Sequence, residues 1–201
     1  MSILKVSRLG HPVLRKKARP LSSSFLAKSS TQTLIDNMIE TMYEYHGVGL
    51  AAPQVHESLL LTVIESQGER GQIPLTVLVN PVVTVLGENP DANKVEDWEG
   101  CLSIPELRGR VPRYQKLKVE ALDRKGSKMK FVAEGFFARV IQHEYDHLMG
   151  HVYLDRMSNL QTLTHLDEMK RYWLPEESEE SGDSRAAQPP VAQKKSKDAT
   201  S

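Results

Sequence analysis

The clearest periodic pattern in the chain lies in residues 33–45, "TLIDNMIETMYEY". Its apolar side chains recur three or four positions apart, which is the spacing of one face of an α-helix. They are Leu34, Ile35, Met38, Ile39, Met42 and Tyr43. Gly47 and Gly49 follow closely and favour an end to the helix. The pattern therefore predicts an amphipathic helix that packs its apolar face on a core.

Short runs of β-branched and aliphatic residues follow this helix. Residues 59–64 ("LLLTVI"), 75–80 ("LTVLVN") and 82–86 ("VVTVL") have the length and composition of strands, and a proline separates the last two. Residues 117–123 ("LKVEALD") alternate apolar and charged side chains, and "RKGS" leads from them into "KMKFVA" at 128–133. A strand pattern on each side of a glycine-containing turn predicts a β-hairpin.

Helical spacing returns in residues 135–148, "GFFARVIQHEYDHL", and Gly150 is placed to end that helix. One side of it carries Phe136, Val140, His143 and His147. A last helix is predicted at roughly 157–173. This order of elements predicts an α+β fold, with antiparallel or mixed sheets around a central helix 135–148 and with N-terminal and C-terminal helices.

The composition changes from Pro175 onward. Residues 175–201 hold almost no large apolar side chain and are rich in Ser, Glu, Lys and Pro. Burial cannot offset the entropy of ordering such a segment. We therefore expect one folded domain in residues 1–174 and a disordered polar tail in 175–201.

The overall charge and the cysteine content narrow the class of protein. Lys+Arg and Asp+Glu both number 26, so the formal charge gives no reason to expect nucleic-acid or anionic-membrane binding. No apolar run approaches the roughly 18 residues of a membrane span. One cysteine forms no intramolecular disulfide and favours a reducing compartment. We expect a cytoplasmic protein, although the basic, acid-free N-terminus leaves organellar targeting open.

Residues 143–147, "HEYDH", place two histidines four positions apart. On a helix this spacing stacks both imidazoles on one face, where they can bind one metal ion, with the carboxylate of Glu144 beside them. A solvated helix face with two ordinary histidines is the simpler interpretation. Apolar residues on both sides of the motif favour a buried helix, in which an unpaired glutamate would be costly. The segment therefore predicts an incomplete metal site formed by His143 and His147.

The third protein ligand has two sets of candidates. Asp167 or Glu168 on the predicted last helix would complete an HExxH endopeptidase site. Cys101, in "WEGCLSIP", would instead give a thiolate and two imidazoles, a donor set that suits Zn²⁺, Fe²⁺ or Co²⁺. Three protein ligands leave a fourth position open for water. A structural metal site or a ribosome-binding module without turnover is a further alternative. A structural site would be closed by a fourth protein ligand, and the chain has no second cysteine to supply it.

Three motifs occur in one order along the chain: "GVGLAAPQ" (47–54), "EGCLS" (99–103) and "QHEYDH" (142–147). With them the sequence resembles the peptide deformylases, metal hydrolases that remove the formyl group from nascent N-formylmethionyl chains. The resemblance extends through "GHPVLRKKA", "VPRY", "ALDRKG" and "LDRM", and covers roughly residues 5–173. A single motif would be weak evidence, whereas three in order are highly specific.

The resemblance implies that Cys101, His143 and His147 bind the metal. The metal would lower the pKa of a bound water, and the resulting hydroxide would attack the formyl carbon. Glu144 would take the proton of that water and pass it to the leaving amine. The family's oxyanion donors, a glutamine side-chain amide and a backbone N–H, fall here on Gln54 and Leu102.

The resemblance also suggests roles for the surrounding residues. Gly47 and Gly49 would serve the backbone geometry near the substrate. Glu99 would pair with Arg113 to hold the Cys101 loop. The methionine side chain needs a pocket, and ordinary core packing competes with that role for its candidate lining residues, Phe136, Arg139 and Val140.

The resemblance favours Fe²⁺ in the cell, with Zn²⁺, Ni²⁺ or Co²⁺ as alternatives. The expected partners are formyl-Met nascent peptides, with no membrane and no specific nucleic acid. Some family members dock on the ribosome through a basic C-terminal helix. The tail here is mixed in charge, so only a transient ribosome contact is considered. The basic stretch "RGRVPRYQKLK" is interpreted as an exposed strand and loop rather than an RNA contact.

Overall fold

The computed structural model describes residues 2–89 and 91–174, in which two α-helices precede seven strands and a third α-helix follows them. Its α-helices are α1 (Ser23–Leu26), α2 (Ser29–Glu44), α3 (Gly135–Leu148) and α4 (Leu166–Tyr172). Its strands are β1 (Gly49–Ala51), β2 (Leu61–Ser66), β3 (Ile73–Val85), β4 (Lys94–Cys101), β5 (Ile104–Tyr114), β6 (Lys116–Leu122), β7 (Lys128–Glu134) and β8 (Thr164–His165). The predicted α+β class with antiparallel sheets is confirmed. The predicted tail, 175–201, lies outside the described residues.

The strands form two sheets. The larger sheet has the order β1-β2-β3-β6-β7, and the smaller one has the order β4-β5-β8. Every pairing is antiparallel, so most neighbours along the chain are joined by short turns. The β4–β5 hairpin turns at residues 102–103, directly after Cys101.

The apolar stripe of residues 33–45 forms α2, as predicted. Ile35, Met38 and Met42 are fully buried and pack in one cluster with aliphatic residues of β1, β2 and β3. Tyr43, at the edge of the predicted stripe, is instead 43% exposed and hydrogen-bonds Glu65. The helix ends at Glu44, just before the "GVGLAAPQ" segment. Packing of the buried face of α2 on the core therefore fixes the point in space at which that segment begins.

Residues 75–80 and 82–86 were expected to be two strands and are one, β3, which runs through Pro81. The pairing of β3 with β6 shifts between Val79 and Val82, and Asn80 adopts a left-handed conformation (φ 52°). Such a bulge leaves a position without a ladder hydrogen bond, so the missing N–H of proline costs little there. The Asn80 side chain holds the bulge by hydrogen bonds to the backbone of Leu21 (2.9 and 2.8 Å).

The predicted hairpin of residues 117–133 is confirmed as β6 and β7, paired from Lys116↔Glu134 to Leu122↔Lys128. Its turn is held by Asp123, whose Oδ1 accepts hydrogen bonds from the backbone N–H groups of Lys125 and Ser127 (2.8 Å each). This hairpin leads directly into α3.

The last helix is shorter than predicted: α4 spans Leu166–Tyr172, not roughly 157–173. The residues before it form a turn, in which Asn159 Oδ1 accepts a hydrogen bond from the Gln161 N–H (2.8 Å), and then the short strand β8. Asparagine and threonine side chains compete for backbone hydrogen bonds in this way and disfavour helix. Strand β8 pairs with β5 through Leu107↔His165 and Arg108↔Thr164.

Helix α3 carries the "HEYDH" motif and contacts strands of both sheets. Ala138, Ile141 and Leu148 on it are buried, and the first two pack with Leu117 and Val119 of β6. Within the described residues, no helix is both long enough and apolar enough to cross a membrane.

Candidate active site

Three metal-ligand side chains that are distant in the sequence meet in the structure. Helix α3 presents His143 and His147 on one face, with ring centroids 5.1 Å apart. Cys101, the last residue of β4, reaches them, and its Sγ lies 3.2 Å from His147 Nε2. The ligand atoms of these three residues all lie within 4.8 Å of one another.

The main chain around Cys101 has little room for side chains. The β4–β5 register shifts between Glu99 and Cys101, so the strand bulges as it reaches the cluster. A Cβ added at Gly100 would lie 2.5 Å from Cζ of Arg108. The absence of a side chain at Gly100 therefore leaves room for the guanidinium group of Arg108.

Glu99 connects the Cys101 strand to α3. Its Oε2 hydrogen-bonds His143 Nδ1 (2.9 Å), which leaves Nε2 of that ring to face Cys101. Arg113 donates from Nε to Oε1 (2.9 Å) and from Nη2 to Oε2 (3.0 Å), and Arg139 donates to Oε1 (2.8 Å). The structure thus forms the expected Glu99–Arg113 ion pair, and the same carboxylate orients a ring of the cluster.

The ion network continues away from the cluster through Asp146. Arg113 Nη1 donates to its Oδ2 (2.6 Å), and Arg156 donates to both of its oxygens (2.7–3.1 Å). Arg113 and Asp146 are almost wholly buried, at 4% and 5% exposed. Their charges must therefore be offset within the protein, and the network does this.

The electrostatics of the cluster favour a positive charge at its centre. Burial raises the pKa of the Cys101 thiol, but the neighbouring imidazoles of His147 and His143 outweigh it and hold that pKa well below its ordinary value. Burial likewise raises the pKa of Glu99, while His143 and Arg113 lower it further than burial raises it. Burial lowers the pKa of His143, yet Cys101 and Glu99 raise it well above its usual range.

Glu144 lies beside the three ligands in a different environment. It is 3% exposed, and burial raises its pKa to about 7 against the lowering effect of His143 and His147. A Cβ added at Gly49 would lie 2.7 Å from Glu144 Cδ and 2.9 Å from Cγ. Gly49 therefore provides the space that the Glu144 side chain occupies. This steric role is a property of the folded chain that the motif alone does not reveal.

Gln54 and Leu102 approach the cluster from two other segments. The Gln54 Oε1 accepts a hydrogen bond from the Ala51 N–H (2.8 Å), so its Nε2 faces Cys101 Sγ (3.5 Å) and Ser103 Oγ (3.3 Å). Leu102 lies in the β4–β5 turn, and its carbonyl accepts a hydrogen bond from Arg8 Nη1 (2.9 Å). The two residues expected to donate hydrogen bonds to an oxyanion, Gln54 and Leu102, thus lie next to Cys101.

The cluster opens into a cavity of about 620 Å³. Its lining includes Gly47 and Gly49 and the three residues expected to form a side-chain pocket, Phe136, Arg139 and Val140. Val140 is buried, and Arg70 lies over the Phe136 ring, 4.8 Å from its centroid.

Arg139 lines this cavity, and its guanidinium group makes hydrogen bonds that the sequence did not suggest. Its guanidinium donates to Glu99 and to the carbonyls of Val95 (2.6 Å) and Val111 (2.8 Å). These bonds tie α3 to β4 and β5 of the smaller sheet, so the charged end of Arg139 is already engaged within the protein.

A divalent cation fits this donor set. A thiolate with two imidazoles is a borderline-soft combination that binds first-row metals such as zinc and iron. Within residues 2–89 and 91–174, three buried side-chain atoms lack a hydrogen-bond partner: Glu144 Oε2, His147 Nδ1 and Tyr153 Oη. All three belong to the cluster or border it, since the Tyr153 ring stacks 6.3 Å from His143. Buried polar atoms are normally satisfied, so the free Glu144 Oε2 points to a non-protein partner, whereas His147 Nδ1 lies on the ring edge opposite the Nε2 that faces Cys101.

The alternative third ligands lie elsewhere. Asp167 and Glu168 are exposed in the first turn of α4, where Glu168 pairs with Arg171 (3.3 Å). In the described part of the chain, the grouping of candidate ligands that could hold a metal is Cys101, His143 and His147, with no fourth member. The geometry therefore does not favour the endopeptidase site or a closed structural site.

Several polar residues of the site were not identified from the sequence. Asp146 and Arg156 extend the buried network, and Arg8 and Arg108 line the cavity. Asp146 lies inside the "QHEYDH" motif, so its position three residues after His143 was the available signal. Nothing in the sequence around Arg8 indicates that it reaches Leu102, 94 positions away.

Comparison with known proteins shows that the chain is similar in sequence to members of one enzyme family. The sequence model of the family described as polypeptide deformylase matches residues 3–163. Peptide deformylase 2 of Pseudomonas putida is 42% identical over 163 residues, which cover 78% of this chain and 89% of that protein. The peptide deformylase of Symbiobacterium thermophilum is 45% identical over 168 residues, which cover 82% and 71%.

A solved structure shows the same fold. The crystal structure of class I type b peptide deformylase from Acinetobacter baumannii with Met-Ala-Ser bound superposes with a TM-score of 0.73 at 36% identity. The superposition covers 78% of this chain and all of that chain.

Proposed function

The chain belongs to the polypeptide deformylase family, and we propose that it hydrolyses the N-formyl group of formylmethionine at the start of newly made polypeptides. The observation that carries this proposal is the convergence of Cys101, His143 and His147 beside the buried carboxylate of Glu144, within one open cavity. The Acinetobacter baumannii structure has the peptide Met-Ala-Ser bound, which supports a peptide that begins with methionine as the ligand.

Cys101, His143 and His147 would hold one divalent cation, for which we propose Fe²⁺ in the cell, with Zn²⁺, Ni²⁺ or Co²⁺ able to occupy the same donors. When bound, such a cation acts as a Lewis acid and makes a water molecule more acidic near neutral pH. Glu99 orients the His143 ring by its hydrogen bond to Nδ1, and Arg113 and Arg139 hold Glu99 in place. The protein's contribution to the metal site is this fixed orientation.

Glu144 is proposed as the general acid–base. Its Oε2 has no hydrogen-bond partner among the described residues, and its pKa of about 7 allows it to gain and lose a proton near neutral pH. It would accept the proton of the attacking water and donate it to the nitrogen of the leaving amine. The formyl carbon–nitrogen bond then breaks, and formate and a free amino terminus are the products.

Gln54 and Leu102 are proposed to stabilise the oxygen of the formyl group as negative charge develops on it. The Gln54 Nε2 is a donor whose orientation is fixed by the Ala51 N–H, and the backbone of Leu102 is held by Arg8. Donors that are already oriented need no reorganisation during the reaction, which is why such groups are effective.

The methionine side chain is proposed to bind against Phe136 and Val140, at the N-terminal end of α3. Gly47 and Gly49 also line the cavity, and because they lack side chains Leu102 and Glu144 can lie close to the main chain there. We expect the enzyme to act in the bacterial cytoplasm, since the relatives named above are bacterial. A transient contact with the ribosome stays a prediction.

Formate release from formyl-Met-Ala tests the function. We expect rapid release by the purified, metal-loaded protein, and no release of acetate from acetyl-Met-Ala at comparable concentration. A longer peptide with a blocked N-terminus serves as the control for endopeptidase activity and should remain intact. Cleavage of that peptide without formate release from formyl-Met-Ala would contradict the proposal. Metal analysis of protein purified without oxygen would test the assignment of Fe²⁺.

A further inference from the structure

Two tryptophans meet at the edge of the cavity. Trp98, on β4, lines it, and Trp173 follows directly after α4. Their ring centroids are 5.6 Å apart with an interplanar angle of 76°, an edge-to-face arrangement. Aromatic rings attract one another in this geometry, so each ring restricts the orientation of the other.

The backbone and the ring of Trp98 are held by different parts of the chain. Its N–H donates to the adjacent Asp97 Oδ1 (2.7 Å), and Asp97 pairs with Arg70, another residue of the cavity wall. The ring, in contrast, has Trp173 as its aromatic neighbour. The orientation of the Trp98 ring therefore depends on the C-terminal segment.

This C-terminal segment lies beyond residue 163, where the match to the family ends. It is joined to the cavity at a second point, because Thr164 of β8 pairs with Arg108, which also lines the cavity. Met169 of α4 is buried and anchors the segment. The segment 164–173 therefore contacts two residues of the cavity wall, Trp98 and Arg108.

The position of Trp98 indicates which part of a substrate it would meet. It precedes Cys101 by three residues, a distance of at most about 10 Å along the strand, since the register shifts between Glu99 and Cys101. The residues that follow the formylmethionine would extend over this distance from a formyl group at the metal ligands.

We propose that Trp98 binds apolar side chains of the second and third substrate residues, and that Trp173 is a positioning residue that fixes the Trp98 ring for this contact. This inference rests on the proposed function and adds a selectivity to it. The enzyme should favour formyl peptides whose second and third side chains are apolar over those in which they are small and polar.

The test is the ratio of kcat/KM for formyl-Met-Leu-Leu to that for formyl-Met-Ser-Ser. Trp173→Ala should lower this ratio about three- to tenfold, the range expected for loss of an aromatic pair. The change should fall on KM, with kcat for each peptide within about twofold of the wild type. Because a ratio is compared, a partly unfolded fraction of the variant cancels. Tyr172→Ala is the matched control: Tyr172, the last residue of α4 and the neighbour of Trp173, is 70% exposed, and the ratio for this variant should equal that of the wild type.

A double-mutant cycle separates a positioning role from a general loss of packing. If Trp173 acts through Trp98, then Trp173→Ala should have no further effect on the ratio in a Trp98→Ala background. Trp173→Phe, which retains an aromatic edge, should recover most of the wild-type ratio. An unchanged ratio in Trp173→Ala, or equal and additive effects of the two alanine variants, would overturn the proposal.

Failure of the proposed function would give a different result. In that case the wild-type protein would hydrolyse neither formyl peptide, and calorimetric binding of Met-Leu-Leu and Met-Ser-Ser would provide the same ratio. A binding ratio that falls in Trp173→Ala but not in Tyr172→Ala would still support the aromatic wall. An equal ratio in all three proteins would refute it.

Discussion

The two long helices of the molecule are stabilised by opposite means. Helix α2 packs on the larger sheet through Ile35, Met38 and Met42, all fully buried and apolar. The face of α3 that meets the smaller sheet is polar, and Arg139 and Asp146 on it are buried among ion pairs. The first arrangement is what hydrophobic burial alone would produce. The second has a large desolvation cost, so it indicates a requirement other than stability.

That requirement is the orientation of the metal ligands. An apolar contact is non-directional, whereas a bidentate ion pair fixes both the distance and the plane of its partners. Arg113 makes such a pair with Glu99, and Glu99 in turn hydrogen-bonds His143. The comparison therefore predicts that changes on the α3 side alter chemistry before stability, and that changes on the α2 side do the reverse.

The largest effect on activity is expected from Glu144→Gln. The amide keeps the shape of the side chain but cannot carry the proton from water to the leaving amine, so kcat should fall by at least about 10²–10⁴-fold. Metal content, measured by elemental analysis, should stay near that of the wild type. The control is Glu134→Gln, an exposed residue just before α3, which should have wild-type kcat. Activity of Glu144→Gln within tenfold of the wild type would mean that another group moves the proton.

Gly49→Ala should give the next largest effect. The added methyl group would overlap the Glu144 side chain, which is buried and must move away from its observed position. A displacement of about 1 Å at a catalytic group can reduce the rate on the order of 100-fold. Gly68→Ala is the matched control, because the nearest atom to its new Cβ is Ser66 Oγ at 3.8 Å. Equal kcat/KM values for the two variants would show that Gly49 does not set the position of Glu144.

Glu99→Gln should weaken metal binding while leaving the three ligands in place. Loss of the charged partner of His143 should reduce metal affinity about 10–100-fold, as measured by competition with a chelator of known affinity. The control is Glu96→Gln on the same strand, whose exposed carboxylate lies 3.7 Å from Arg110. If both variants retain wild-type affinity, the ion network does not act on the metal site.

Met38→Ala should give the smallest change in activity and a large change in stability. Truncating this fully buried side chain leaves a cavity in the α2 cluster and should lower the free energy of unfolding by about 2–5 kcal/mol. The kcat per folded, metal-loaded molecule should be unchanged at a temperature well below the unfolding midpoint. Thr33→Ala, at an exposed position of the same helix, is the control for helix propensity. A loss of kcat in Met38→Ala would mean that the two regions are coupled.

The same comparison explains which features could be predicted from the sequence. Helix α2 and the β6–β7 hairpin have regular apolar periods, and they were predicted within a few residues. The β4–β5 hairpin was not predicted as a unit, because charged residues such as Glu96, Asp97 and Arg110 interrupt its alternation. Glu96 and Arg110 pair with each other, and Asp97 pairs with Arg70 of the cavity wall, so charged pairs replace the regular strand pattern beside the site.

The candidate site shows the same division. Cys101, His143 and His147 were found because metal ligands have characteristic spacings and occur in recognisable motifs. The links from Asp146 to Arg113 and from Arg8 to Leu102 join residues 33 and 94 positions apart, and no local pattern encodes such contacts. The shortened α4 is a further example. Thr164 and His165, which were predicted to be helical, pair with β5 as strand β8, and the helix begins only after them.

The most direct test of the account is the absorption spectrum of the Co²⁺-loaded protein, compared with Cys101→Ser and measured together with formate release from formyl-Met-Ala. Cys101 is the single cysteine of the chain, so any thiolate-to-cobalt charge-transfer band must arise from it. We predict one Co²⁺ per wild-type chain, a clear near-ultraviolet band and rapid formate release, and in Cys101→Ser the loss of the band with a large loss of turnover. Stoichiometric Co²⁺ binding without the band in the wild type, or normal turnover by Cys101→Ser, would contradict the assignment of Cys101 as a metal ligand.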